Sequence, residues 1–202
     1  EKEIFQYLKS RKEKGWIEGV VLCGGEPTLQ KDLPEFAEKI KQIGLDVKLD
    51  TNGSNPEMIK SMLENRLVDY VAMDVKAPKD MYSYIAGRKI DTGDIEKSMK
   101  LLTGSEVDYE FRTTISPIIN RDIISFPGSE YAGKIAEWIV ECTGKNNHQY
   151  YLQKFITRSK DDMLDERLAK ENLTGEMHET PASLMSLMEI AAMKHLPRCK
   201  IR

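Results

Sequence analysis

Five consecutive residues, Gly24, Gly25, Glu26, Pro27 and Thr28, hold the densest chemistry in this 202-residue chain. They follow the apolar run Val20, Val21 and Leu22 and precede Asp32 to Pro34, where an amphipathic stretch opens. The order is strand, tight polar turn, helix. Two glycines let a ligand come up against the main chain. Glu26 sets a carboxylate at the strand's C-terminal end, where parallel α/β architectures bind their ligands. A plain chain reversal would use the same glycines with no ligand at all. Further polar residues stand near later strand ends: Asp50 and Asn52, Asp74 and Lys76, Arg112, and Gln153. A carboxylate and an ammonium two residues apart on one strand face suggest a charged ligand, and a cross-strand or surface ion pair gives the same pattern. Arg112 is a candidate for a barrel lumen, or a structural partner of Glu110 or Asp74.

These residues need strands to position them, and the hydrophobic pattern supplies the strands. Leu45, Val47 and Leu49 alternate with Asp46, Lys48 and Asp50, so one face is apolar and the other polar. In a closed or partly closed barrel the apolar face meets outer helices, and the polar face looks into the lumen. Residues 107–115 alternate in the same way, with Glu110, Arg112 and Thr114 on the polar side. Between the strands, Asp32 with Glu35 predicts a capping box, Asn55 with Pro56 a helix start, and Thr180 with Pro181 a cap for a last helix over 180–196. The stripe predicted for that last helix is Leu184, Leu187, Met188 and Ala191. Residues 118–128 read as a loop, 149–155 as the last strand, and 158–179 as a charged loop with a helical turn near 164–168. Trp16 and Trp138 read as packing residues. The count is five parallel strands, near Val20, Val47, Val71, Phe111 and Leu152, each but the last followed by a helix. That predicts an α/β fold as one domain over 1–202, a partial βα-barrel of TIM type rather than a doubly wound sheet.

GGEPT at this place resembles the GGEP motif of the radical S-adenosylmethionine (SAM) enzymes. The LDTNGS of residues 49–54, the VDYVAMDVKAP of residues 68–78 and Arg112, Thr113 and Thr114 resemble the next strand ends of that superfamily's glycyl-radical-activating branch. The likeness runs from about residue 15 to 155 and is strongest to activating proteins of anaerobic ribonucleoside-triphosphate reductase. It implies a radical SAM partial barrel that cleaves SAM by one-electron reduction at a [4Fe–4S] cluster, then abstracts hydrogen with a 5′-deoxyadenosyl radical. It implies that Gly24, Gly25, Glu26, Pro27 and Thr28 hold the methionine end of SAM, with Glu26 on its ammonium. Asp50, Asp74 and Lys76 would take the carboxylate and ribose, with room for a monovalent cation between the acids. Asn52 and Arg112 would line the lumen, and Gln153 would touch the adenosine. The implied partners are a glycyl-radical enzyme, as protein substrate, and an electron donor. Members of the family bind the cluster through a CxxxCxxC loop, and this sequence has none. The chain opens on Glu1 inside a helical pattern, so the expectation is an N-terminally truncated form without its first strand and cluster loop, inactive as it stands. A radical SAM enzyme of carboxy-deazaguanine synthase type, acting on a small molecule, and a non-catalytic SAM- or protein-binding scaffold are the alternatives. An unrelated phosphate-binding βα-barrel would not need Glu26.

Composition narrows the partners. A net charge of −3 with acids and bases interleaved leaves no electrostatic footprint for nucleic acid. No apolar run approaches a membrane span and no signal-peptide pattern is present, so the sequence reads as cytoplasmic. Cys23, Cys142 and Cys199 are odd in number and widely spaced, which argues for reduced thiols and against a local metal site. His148, His178 and His195 do not cluster either.

Overall fold

The computed structural model describes residues 1–120, 123–156 and 179–202. The fold is α/β, and the chain divides into two compact units, Glu1–Asp74 with Asp91–Glu110, and Val75–Ile90 with Phe111–Arg202.

The first unit begins with α1 (Lys2–Glu13), which buries none of its residues, and continues through β1 (Gly19–Leu22), α2 (Leu33–Gln42), β2 (Asp46–Thr51), α3 (Pro56–Glu64), β3 (Tyr70–Asp74) and, after a chain segment of the second unit, α5 (Thr92–Thr103). The three strands pair in parallel in the order β1, β2, β3, with Val20 opposite Val47 and Leu49 opposite Val71. Alternation in β2 works as its sequence requires: Val47, Leu49 and Thr51 are buried, while Lys48 and Asp50 are half-buried. Leu33, Ala37 and Ile40 of α2, with Ile59 and Met62 of α3, supply the buried helical faces of this unit. Asn55 caps α3 by accepting from the Met58 N–H, and Pro56 follows at the first turn, where its missing N–H costs nothing. The capping box expected at Asp32 does not form, since neither side chain bonds back to the turn. Trp16 is 64% exposed, with the Arg11 guanidinium 4.5 Å from its ring centre, and is not a core residue.

In the second unit come α4 (Tyr82–Ile85), most of β4 (Asp108–Ile115), a hairpin of β5 (Ile118–Asn120) and β6 (Ile123–Ser125), α6 (Glu130–Thr143), β7 (Tyr150–Lys154), α7 (Ala182–Met193) and β8 (Cys199–Ile201). Strands pair in parallel in the order β4, β7, β8, with Phe111 opposite Tyr150 and Tyr150 opposite Cys199. Two elements differ from the sequence reading: residues 118–128 are not simply a loop, and β8 is a sixth parallel strand beyond the five counted. Helix α7 buries Met185, Met188, Ala191 and Ala192, so Met188 and Ala191 of the predicted stripe are in the core, while Leu184 is half-buried and Leu187 is 55% exposed. A Cβ on Gly133 of α6 would stand 3.3 Å from that of Ala191, which shows how closely the two backbones approach. Thr180 does not cap α7. It is buried, accepts from the Phe155 N–H and donates to the Ile115 carbonyl, both at 2.8 Å. Trp138 packs edge-on against Tyr82 as a core residue. The charged loop expected at 158–179, save Glu179, and its helical turn lie outside the described residues.

Candidate functional site

The turn after β1 closes around one carboxylate. Gly24 takes a φ of +134°, a conformation that favours glycine, and the chain then enters a single 3₁₀ turn, Pro27–Leu29, capped by Glu26. Oε1 of Glu26 accepts from the Thr28 N–H at 3.1 Å, the Thr28 hydroxyl at 2.6 Å and the Thr51 hydroxyl at 2.7 Å. Oε2 accepts from the Asn52 N–H at 2.7 Å. All four donors are neutral, and no cationic side chain among the described residues is within ion-pair distance of the carboxylate. A carboxylate offers about four lone-pair positions, so Oε1 is filled and the spare capacity lies on Oε2.

Surrounding residues fix this arrangement. The Thr51 hydroxyl accepts from the Gly53 N–H at 3.1 Å, the Asn52 Oδ1 accepts from the Ser54 N–H at 2.9 Å, and the Asn55 side-chain amide donates to the Thr28 carbonyl at 2.6 Å. Gly53 has φ +74°, a conformation that favours glycine, and a Cβ there would push against the end of the Met73 side chain. Buried Ser98 on α5 donates to the Gly53 carbonyl at 2.7 Å. Thr51, Asn55 and Ser98 escaped the sequence reading as site residues. The Asn-Pro pair did mark a helix start, but nothing in a single Thr or Ser says that its hydroxyl reaches another element.

The predicted residues thus fall into groups. Glu26, Thr28 and Asn52 come together, Asn52 through its backbone amide, while Pro27 and Thr28 are buried and serve the turn. Gly24 and Gly25 are exposed, and a Cβ at either would meet nothing within 4 Å. Asp50 is half-buried with the Lys48 ammonium at 3.5 Å, and Asp74 is half-buried at the end of β3. In the second unit the backbone of Lys76 is held between two phenols: its N–H donates to the Tyr82 hydroxyl at 3.4 Å, and its carbonyl accepts from the Tyr131 hydroxyl at 3.0 Å. Burial, then the Tyr82 phenol, pushes the Tyr131 hydroxyl well above the usual tyrosine range. Arg112 is 8% exposed, and Gln153 sits 3.5 Å from the Thr114 hydroxyl.

The Radical SAM superfamily profile matches residues 1–124. The chain belongs to the radical SAM superfamily. Its α/β architecture is the partial (β/α) barrel of that superfamily, with six parallel strands in place of the five counted from the sequence. A Methanocaldococcus jannaschii protein named "Putative glycyl-radical enzyme activating enzyme" is 42% identical over 107 residues, which cover 50% of this chain and 45% of that one. The 7-carboxy-7-deazaguanine synthase of Thermococcus kodakarensis is 40% identical over 67 residues, covering 33% of this chain and 26% of that one. The chain therefore spans less than half the length of either relative. A solved domain of a Bacteroides vulgatus pyruvate-formate lyase-activating enzyme superposes with a TM-score of 0.62 over 91% of this chain and 98% of its own. At 14% identity that likeness speaks for the fold alone.

Radical SAM chemistry implies SAM and a [4Fe–4S] cluster, and the two fare differently against the residues present. A half-buried carboxylate ringed by neutral donors fits an ammonium, and two exposed glycines fit a ligand lying against the backbone. A cluster needs converging thiolates, but Cys23 follows β1, Cys142 lies on α6 and Cys199 on β8. No group of three or more His, Cys, Asp or Glu among the described residues could hold a metal ion. The described residues do not fit a cluster. No helix among them is long and apolar enough to cross a membrane.

Proposed function

We propose that this chain is the SAM-binding part of an activating enzyme that generates a glycyl radical on a partner such as anaerobic ribonucleotide reductase, with an electron donor as its other partner. The observation that carries the binding half is the Glu26 carboxylate, held by four neutral donors and matched by no cation among the described residues. Removing a charge from water without a counter-ion is costly, and an ammonium on Oε2 would offset that cost. In this reading Gly24 and Gly25 admit the methionine backbone of SAM, and Pro27 and Thr28 keep the turn closed. Asp50, Asn52, Asp74, Lys76, Arg112 and Gln153 contribute to the carboxylate, ribose and adenosine ends. Bound SAM would supply a sulfonium open to one-electron cleavage, the electron coming from the donor partner, and the residues of this chain would bind, orient and shield it.

The partner half is supported by the likeness to the named activating enzyme over half of the chain. A second reading, a radical SAM enzyme acting on a small molecule, is favoured by the stretch shared with the carboxy-deazaguanine synthase. Calorimetric titration with SAM, followed by co-sedimentation with purified anaerobic ribonucleotide reductase, tests both halves. Binding of SAM and of the reductase is the expected result. SAM binding without reductase binding would favour the small-molecule reading, and a chain indifferent to SAM would overturn both.

A further inference from the structure

Thr51 is the β2 side chain that reaches the Glu26 carboxylate; the other contact from this strand end is the Asn52 backbone amide. Its hydroxyl has one proton and spends it on Oε1 at 2.7 Å, while its oxygen accepts from the Gly53 N–H at 3.1 Å. Gly53 is itself locked, by the Ser98 hydroxyl on its carbonyl and by Met73 against its α-carbon. A relay thus runs from buried Ser98 of α5 through the loop after β2 to the carboxylate. Thr28 bonds the same oxygen but belongs to the same turn as Glu26, so it moves with the acid and cannot fix it against β2. With Oε1 tied down from two elements, the torsion of the carboxylate is set and Oε2 is the oxygen left to a ligand.

We infer that Thr51 is a positioning residue, which acts through Glu26 to aim Oε2 at the ammonium of an amino-acid ligand. This rests on the reading of the turn as the SAM ammonium site. Thr51 is 3% exposed, so it touches no ligand directly, and Val is close to isosteric with it. Thr51→Val removes the hydroxyl while keeping the shape, and Thr51→Ser restores the hydroxyl.

The test is a double-mutant cycle on SAM affinity, read by calorimetry, with amide hydrogen exchange in the absence of SAM as a second measurement. Thr51→Val should weaken SAM roughly tenfold, as loss of one hydrogen bond to a charged group does, and Thr51→Ser should recover most of the affinity. In a Glu26→Ala background Thr51→Val should change nothing further, because the residue it acts through is gone. A loss of the same size in both backgrounds would show a general structural role and overturn the inference, as would a Thr51→Val chain with parental affinity. The Thr28 and Asn52 amides, both bonded to the carboxylate, should exchange faster in Thr51→Val whether or not SAM binds, and unchanged exchange would overturn the clamp itself. A parent chain that binds no SAM while those amides still respond would instead sink the ammonium reading, so the two failures are distinguishable.

Discussion

Two hydrogen-bonded networks in this molecule are built from similar parts and end differently. In the second unit the Thr113 hydroxyl donates to the Val75 carbonyl at 2.6 Å and meets the Tyr150 hydroxyl at 2.8 Å, all three residues being buried. Donors and acceptors match there, no charge is involved, and the network is closed. In the first unit Thr28 and Thr51 also turn their hydroxyls inward, but onto a carboxylate, and the accounting leaves acceptor capacity and a net charge behind. A closed network contributes to stability alone. An open one around a charge spends part of its hydrogen bonding on keeping a binding group ready.

The sharpest break of this comparison is Thr113→Val. It would leave the Val75 carbonyl and the Tyr150 hydroxyl buried without their partner, at about 1–3 kcal/mol each. A melting temperature lowered by several degrees with parental SAM affinity is the expected outcome, and unchanged melting would show that the network carries no stability. Glu26→Ala should do the reverse, losing SAM affinity by roughly ten- to a hundredfold through one charge-assisted bond, with a smaller effect on melting. Lys76→Ala should lose a similar amount if its ammonium meets the SAM carboxylate. Calorimetric titration of both variants checks this, and parental affinity in each would remove the site.

The smallest effect belongs to His148, which is buried, stands edge-on to Phe111 and lies 2.8 Å by Nε2 from the Thr143 hydroxyl. Burial, then the Lys145 charge, pulls its pKa below the ordinary 6.5. The neutral ring is thus the native form. Stability is complete above pH 6.5 and declines as pH falls through the lowered folded value, because the unfolded chain takes up the proton first. His148→Gln should flatten the dependence of melting temperature on pH in that window, and an unaltered slope would assign the decline to other groups.

Legibility in the sequence followed the length and regularity of each pattern. The alternation of β2 and the Asn-Pro start of α3 involve several residues with one physical cause each, and both are found where they were read. Strands β5, β6 and β8 have three residues apiece, too few for a period of two to stand out. Helix α7 carries Leu184, Met185, Leu187, Met188 and Ile190, apolar almost all round, so its own sequence could not choose a buried face; packing against α6 chose it. Trp16 misled because size suggests burial, and cation–π contacts to Arg11 and Lys14 give an exposed ring another use. At the candidate site, the Gly-Gly-Glu turn was readable by type, whereas Asp50 and Asp74 are not among the bonds to Glu26. Thr51 was not readable, because its role depends on meeting Glu26 across a strand end 25 residues away.

The C-terminal strand holds its own chemical clock. Cys199 is 3% exposed, and burial, with the Glu189 charge second, pushes its thiol up to about 12. That keeps the thiol in its protonated form at neutral pH, and the ionised form is the one that alkylates. Cys23 is exposed beside the glycine turn, open to reagent from solvent. A maleimide or iodoacetamide pulse should therefore mark Cys23 at once and Cys199 only when β8 lifts away from β7. The delay between the two labels, followed by mass spectrometry, would time the opening of that edge, and do so with no reporter introduced into the chain.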